Sequence, residues 1–281
     1  MSTPLLPGTV APPPHDGAGG ARPSWFRESA PSSRVADTVA ARWHGCGGWD
    51  RTLRVLPDGC ADVIWDGRRL IAVGAHAGAL RFPVAAESDN VGLRLRPGMA
   101  GIVLGVHMSD LPREAVPLDD LWGPAVRRLA QQLHDAPDAG TRHELLEQSV
   151  ADRADTGAAT GDPTVAAAVR LLRRPGARVD DVARTVGLST RELRRRFLVH
   201  VGYGPKALQR VLRFQAFLRD GPGAPGGSGG DSLADSAARN GYADQSHLGR
   251  ECVRLSGSSP ARLMAGLGRN VPDAAAPPGA R

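Results

Sequence analysis

Lysine is almost missing from this chain, Lys206 being the only one among 35 basic residues in 281. Arginine's fork favours bidentate contacts to guanine and phosphate, but codon usage in a GC-rich genome is the readier cause of such a ratio. Cysteine is scarce too. Cys46, Cys60 and Cys252 are too few and too scattered for a disulfide framework, which fits a reducing compartment. No apolar run approaches the ~20 residues that span a bilayer. Residues 1–24, rich in proline and glycine, lack the basic-then-apolar pattern of a signal peptide. A cytoplasmic protein with no membrane partner is expected, its ends (1–24 and 268–281) disordered. Nucleophile elbow, Walker A loop and dinucleotide fingerprint are all absent, so no catalytic residue and no cofactor is assigned.

The charge that is present is unevenly placed. Between Pro163 and Gly266 stand 17 basic and 8 acidic residues, a net of +9, which leaves 18 basic and 21 acidic elsewhere, a net of −3. A polyanion-binding module would concentrate its cations in this way.

Order along the chain suggests two domains. Residues 25–152 open with short strand-like runs: 51–56, 61–65, 68–73, 91–96 and 100–106, with Asp66-Gly67 as a two-residue hairpin turn and Pro97-Gly98 as another. These predict a small antiparallel sheet or barrel. A helix over 118–133 and another over 141–150 follow, and they either cover the sheet or make a homodimer contact. Residues 153–162 are small and polar and read as a linker. The second domain, 163–267, is all helix. Pro163 opens its first helix and Pro175-Gly176 stops it. A longer helix runs from Pro205 to about Arg219, a glycine-rich insert covers 221–230, Asp231 or Ser232 caps the next helix, and Pro260 begins the last. The fold class is α+β, a β-rich domain before an all-α one.

Within the second domain a plan occurs twice. Val179, Ala183 and Gly187 are spaced four apart, as are Leu233, Ala237 and Gly241. A small alanine lets two helices cross closely, and a glycine takes the positive φ of a tight turn, so both segments read as helix-turn-helix units. The second has one extra residue in its turn. Leu193 and Phe197 form the inner face of one reading helix, Leu248 and Cys252 that of the other. Arg191, Arg194 and Arg195 remain exposed on the first, and Gln245, Ser246 and Arg250 on the second. Such side chains suit base edges and phosphates. Arg191 and Arg195 lie on one face and are assigned to bases, Arg196 to phosphate or solvent, and His247 to a phosphate or structural contact. A connecting helix of this length spans ~22 Å, which brings the reading helices about 34 Å apart, one turn of B-DNA.

Residues 233–263, Leu-Ala-Asp-Ser-Ala-Ala-Arg-Asn-Gly-Tyr through Gly257, Pro260 and Leu263, resemble the C-terminal signature of the AraC/XylS family of bacterial transcription regulators, and the likeness extends back to Pro163. It implies sequence-specific binding to double-stranded promoter DNA, more often activating than repressing, with RNA polymerase as a partner. It also implies an N-terminal domain that senses a small-molecule effector or dimerises. The candidate DNA-contacting residues are Thr190, Arg191, Arg194 and Arg195, with Gln245, Ser246, Gly249 and Arg250. Gly249 has no side chain to read with. Cys252 and Leu263 stand where the family usually has aromatic residues, which implies looser packing of the second unit. Residues 57–64, 93–98 and 118–123 are similar to the sensor-like domain found ahead of some such modules.

Two rival functions rest on the first domain. In one, Cys60 accepts alkyl groups, as in DNA-repair proteins fused to AraC-like modules; in the other, Cys46, Cys60, His44, His76 and His107 form a redox or metal sensor. No pair among the five has tight ligand spacing, so no metal is assigned. Cys60, between a turn and an apolar strand, suits a small core residue. Asp58 and Asp66 sit at turns, where aspartate bonds backbone, and with Asp62 are not taken as an acid–base site. Trp43, Trp65 and Trp122 either line an effector pocket or pack the core.

Overall fold

The computed structural model describes residues 25–156, 161–222 and 232–267. Its strands are β1 (Trp25–Ser29), β2 (Val39–Gly47), β3 (Arg51–Val55), β4 (Ala61–Trp65), β5 (Leu70–Val73), β6 (Leu80–Val84), β7 (Ser88–Leu95) and β8 (Val116–Pro117). Six make one antiparallel sheet in the order β1-β2-β7-β4-β5-β8, while β3 and β6 pair separately as a two-stranded ribbon. Alternation along each strand divides the sheet's two faces. Val63, Trp65, Val91, Leu93 and Leu95 point into a core closed by helices. Asp62, Ile64, Trp43 and Arg94 point the other way, into a cavity of about 100 Å³ that the ribbon covers. Covered on both sides, the central strand β7 is buried from Val91 to Leu95, Arg94 included.

Between the sheet and the second domain come α1 (Ala100–Leu104), α2 (Leu118–Trp122), α3 (Ala125–Asp135) and α4 (Ala139–Asp155). Three sequence expectations need correcting here. Residues 100–104, expected as part of a strand, are helix; Gly105 ends it at φ +75°. That run is buried on nearly every side, and so short a stretch does not show whether its period is 2 or 3.6. The single helix expected over 118–133 is two helices, broken where Gly123 adopts φ +72° before Pro124. The hairpin between β4 and β5 has a four-residue connection, because Asp66 accepts hydrogen bonds from the backbone of both Arg68 (3.0 Å) and Arg69 (2.9 Å) and Trp65 pairs with Leu70.

The second domain contains α5 (Pro163–Leu172), α6 (Val179–Thr185), α7 (Thr190–Val201), α8 (Pro205–Asp220), α9 (Leu233–Arg239), α10 (Gln245–Ser256) and α11 (Pro260–Leu267). Ser232 caps α9 in a reciprocal capping box with Asp235; Asp231 and the insert from 223 onward lie outside the described residues. Two cores flank α8. Leu208 joins Leu193, Phe197 and Val201 of the first unit, and Val211, Phe214 and Phe217 join Leu248, Cys252 and Leu263 of the second. Cys252 and Leu263 are buried, and the cluster that surrounds them includes Leu56 from the first domain.

Candidate nucleic-acid interface

Both turns are built as their spacing requires. Gly187 adopts φ +74° and Gly241 φ +73°, values that an L side chain rarely tolerates. After each turn a polar side chain starts the reading helix. Ser189 Oγ accepts from Glu192 N at 3.1 Å, and Asp244 Oδ1 accepts from His247 N at 2.6 Å. At the far ends Gly202 and Gly257 stop the two helices in the left-handed conformation. The apolar faces of α7 and α10 are buried against α8, which leaves the polar faces outward.

Thr190, Arg191, Arg194 and Arg195 are all exposed on α7, and Gln245, Ser246 and Arg250 on α10. Their states differ. Arg195 is paired to Glu192 through two hydrogen bonds, Nε to Oε2 at 2.9 Å and Nη2 to Oε1 at 2.7 Å. Those bonds, with others from Arg196, hold the Glu192 carboxyl down at about 2. Arg196, assigned from sequence to phosphate or solvent, is half-buried and bonds Glu192 at 2.8 Å and Asp162 at 3.1 Å. It fastens α7 to the start of α5, where Asp162 also caps that helix, and is a structural residue. Among the described residues Arg191 and Arg194 have no ion pair, so their guanidinium groups are available to a ligand. Thr190 Oγ1 reaches Asp180 at 3.3 Å. Gly249 is half-buried, yet a Cβ built on it meets nothing within 4 Å. His247 is a structural contact: Nδ1 accepts from Ala243 N at 3.2 Å, and the ring stands edge-on to Tyr242. Lys206 donates to Gln209 at 2.9 Å, and burial lowers its pKa.

The first domain holds the ends of both reading helices, a feature that local pattern does not reveal. Met108 N donates to Val199 O at 2.7 Å, in the last turn of α7. Arg54 Nη1 donates to Ser256 O at 3.3 Å, at the end of α10, and to Ser258 Oγ at 2.8 Å. Helix C-termini carry unsatisfied carbonyls, so these donors meet a standing need. Between them, Gln215 Nε2 of α8 donates to Pro57 O at 2.7 Å.

Behind this contact lies the cavity, with a charged cluster in its wall. Arg94 is buried and pairs with Glu28, with Asp58 at 3.1 Å and with Asp62 at 3.6 Å. Burial works against its charge, but the three carboxylates hold its pKa above the usual arginine value. Burial raises Glu28, and it lifts Asp62 to about 6 although Arg94 pulls the other way. Trp43 Nε1 donates to Asp62 at 2.8 Å. That ring lies over Gly92, its cross-strand partner, where any Cβ would overlap it. Trp43 lines the cavity, while Trp65 and Trp122 pack the opposite core. Cys60 is buried, and burial, followed by the nearby Asp58, pushes its thiol well up, away from the thiolate that alkyl transfer needs. Among the described residues no three histidine, cysteine or carboxylate groups converge as a metal site, and no helix is long and apolar enough to cross a membrane.

Residues 182–266 match a family described as a helix-turn-helix domain, and residues 27–117 match a domain family of unknown function, DUF6597. Solved structures of ToxT from Vibrio cholerae are similar to this chain. One, from O395, is 11% identical, covers 86% of this chain and 98% of its own, and has a TM-score of 0.40. Another, wild-type ToxT with an unsaturated fatty acid bound, is 11% identical over 80% of this chain and 95% of its own, with a TM-score of 0.39. No curated protein matches.

Proposed function

We propose, from the premise that this chain is a DNA-binding transcription regulator with an AraC-type helix-turn-helix domain, that α7 and α10 read successive major grooves of one promoter. The observation that carries the reading is the paired construction of these helices. Each is capped, each is anchored on α8, and each presents exposed polar or cationic side chains. Arg191 and Arg194 supply base or phosphate contacts in the first groove, and Gln245, Ser246 and Arg250 in the second, with Thr190 and Gly249 beside them. Arg195 joins once a phosphate competes with Glu192 for it. We keep the domain limits read from sequence, 25–152 and 163–267, with α4 continuing past the first of them to Asp155, and the chain works in the cytoplasm without catalysing a reaction.

The first domain sets how firmly the reading helices are held, because Met108 and Arg54 end on them. An effector in the cavity, or a second copy of the chain, would act through those two contacts on promoter occupancy and on the approach of RNA polymerase. Selection of bound fragments from genomic DNA, followed by footprinting, tests the core of this reading. Two protected segments about one helical turn, ~34 Å, apart on one face of the duplex are expected. Binding without sequence preference, or one protected segment alone, would rule it out.

A further inference from the structure

The ribbon that covers the cavity contains one side chain out of keeping with its place. Arg51 pairs with Val84, Leu53 with Phe82 and Val55 with Leu80, and all six residues line the cavity. Strand alternation makes this one continuous face, apolar at five positions and cationic at the sixth. Nε and Nη1 of Arg51 are shielded from solvent and have no hydrogen-bond partner among the described residues. The guanidinium stands 5.5 Å from the centre of the Trp49 ring, and burial lowers its pKa. The carboxylates that line the same space, Asp58 and Asp62, are engaged by Arg94, as is Glu28 beside them. Arg51 therefore faces an apolar space with donors to spare and no acid of its own.

We propose that this cavity binds a compact organic carboxylate, with its carboxylate accepting hydrogen bonds from Arg51 and its apolar body packed against Leu53, Phe82 and Trp43. The proposal rests on reading the first domain as the effector-sensing part of the regulator, and it names the chemistry of that effector. Size argues for a short or branched aliphatic body, smaller than a benzene ring. An apolar cavity of roughly 150 Å³ takes benzene, and this one is about 100 Å³. Charge argues for a monoanion at most, since Arg94 already faces three carboxylates and a phosphate dianion would set two further negative charges against the single cation of Arg51. An amine would meet Arg51 as a like charge. Leu53 and Val55 touch the ligand from the same strand whose opposite face presents Arg54 to α10, so occupancy bears directly on the hold over the second reading helix.

Calorimetric titration of the full chain with propionate, butyrate and isobutyrate, against isobutyramide and isobutylamine, tests the idea. At least one carboxylate should bind, with isobutyramide at least tenfold weaker and isobutylamine silent. Arg51→Gln should weaken the carboxylate at least tenfold, while Thr52→Ala, on the outer face of the strand, should not. Equal binding of isobutyrate and isobutyramide, a preference for the amine, or no binding by any carboxylate at millimolar concentration would overturn the assignment, and so would Arg51→Gln binding as the parent does. The ligand panel on the parent chain decides the matter even where the variant fails to fold. Genomic fragment selection by the ligand-free chain reports separately on the DNA-binding reading.

Discussion

Arg54 and Ser258 meet across the boundary between the two domains, Nη1 donating to Oγ at 2.8 Å, and the same nitrogen reaches the last carbonyl of α10 at Ser256. The second reading helix is thus finished by a residue about two hundred positions away. Arg54→Ala should lower stability by roughly 1–3 kcal/mol, the usual loss when a charged donor leaves carbonyl and hydroxyl acceptors behind. Footprinting should show weaker protection in the half-site read by α10 and unchanged protection in the other. Equal weakening of both would mean that Arg54 supports the whole domain and not α10 in particular.

Glu192 holds Arg195 by two hydrogen bonds, and on the proposed reading it competes with DNA for that side chain. Glu192→Gln should free that guanidinium for phosphate and steepen the slope of log K against log salt by about one. Arg191→Ala, which breaks no ion pair among the described residues, should instead relax preference at one base pair by ~1–3 kcal/mol. Binding measured across a salt series and a set of single-base variants separates the two effects. An unchanged slope in Glu192→Gln would show that Arg195 stays off the backbone.

Gly249 leaves a gap beside Arg250 on the face of α10 proposed to read DNA. Because a Cβ there meets nothing within 4 Å, Gly249→Arg should be accommodated. It should raise stability by up to ~1 kcal/mol, through the difference in helix propensity, and steepen the salt dependence by about one. Thermal unfolding and salt titration check the two parts independently, and a fall in stability would show that the space is not open.

Between about pH 6.5 and 4, two groups that line the cavity oppose each other. Burial depresses His76 from 6.5 to about 4, so its contribution is complete above 6.5 and is lost as pH falls through 4. Burial raises Asp62 from 3.8 to about 6, so its contribution is complete below 3.8 and is lost as pH rises through 6. Melting temperature in the parent should therefore change little over this window on their account. His76→Gln should become relatively more stable toward acid, and Asp62→Asn relatively less. Parallel profiles for both variants would contradict the opposition.

The helix-turn-helix pair was legible because its constraints are local. Alanine at a crossing, glycine at a positive φ and a polar cap before an apolar stripe each leave a mark within a few residues. The first domain was harder to read. Pro83 interrupts the apolar run that becomes β6, and residues 100–104 fit a strand as well as the helix they form. Gly92 reads as a weak point in a strand until Trp43 is found lying across it. Contacts made over long sequence separations leave no such mark. Nothing around Leu56 announces that it completes a cluster with Phe214 and Phe217, or around Met108 that it reaches Val199. Arg195 and Arg196 look alike in sequence, and only Asp162, brought close by α5, sets them apart.

The duplicated units offer unlike side chains, arginines at 191, 194 and 195 against serine, glycine and arginine at 246, 249 and 250. A chain with two different hands has no reason to demand a palindrome. Turned end for end on the duplex, it would meet each groove with the other set of residues, so its binding site has a direction, and whatever it does for a gene upstream it need not do for the gene behind it.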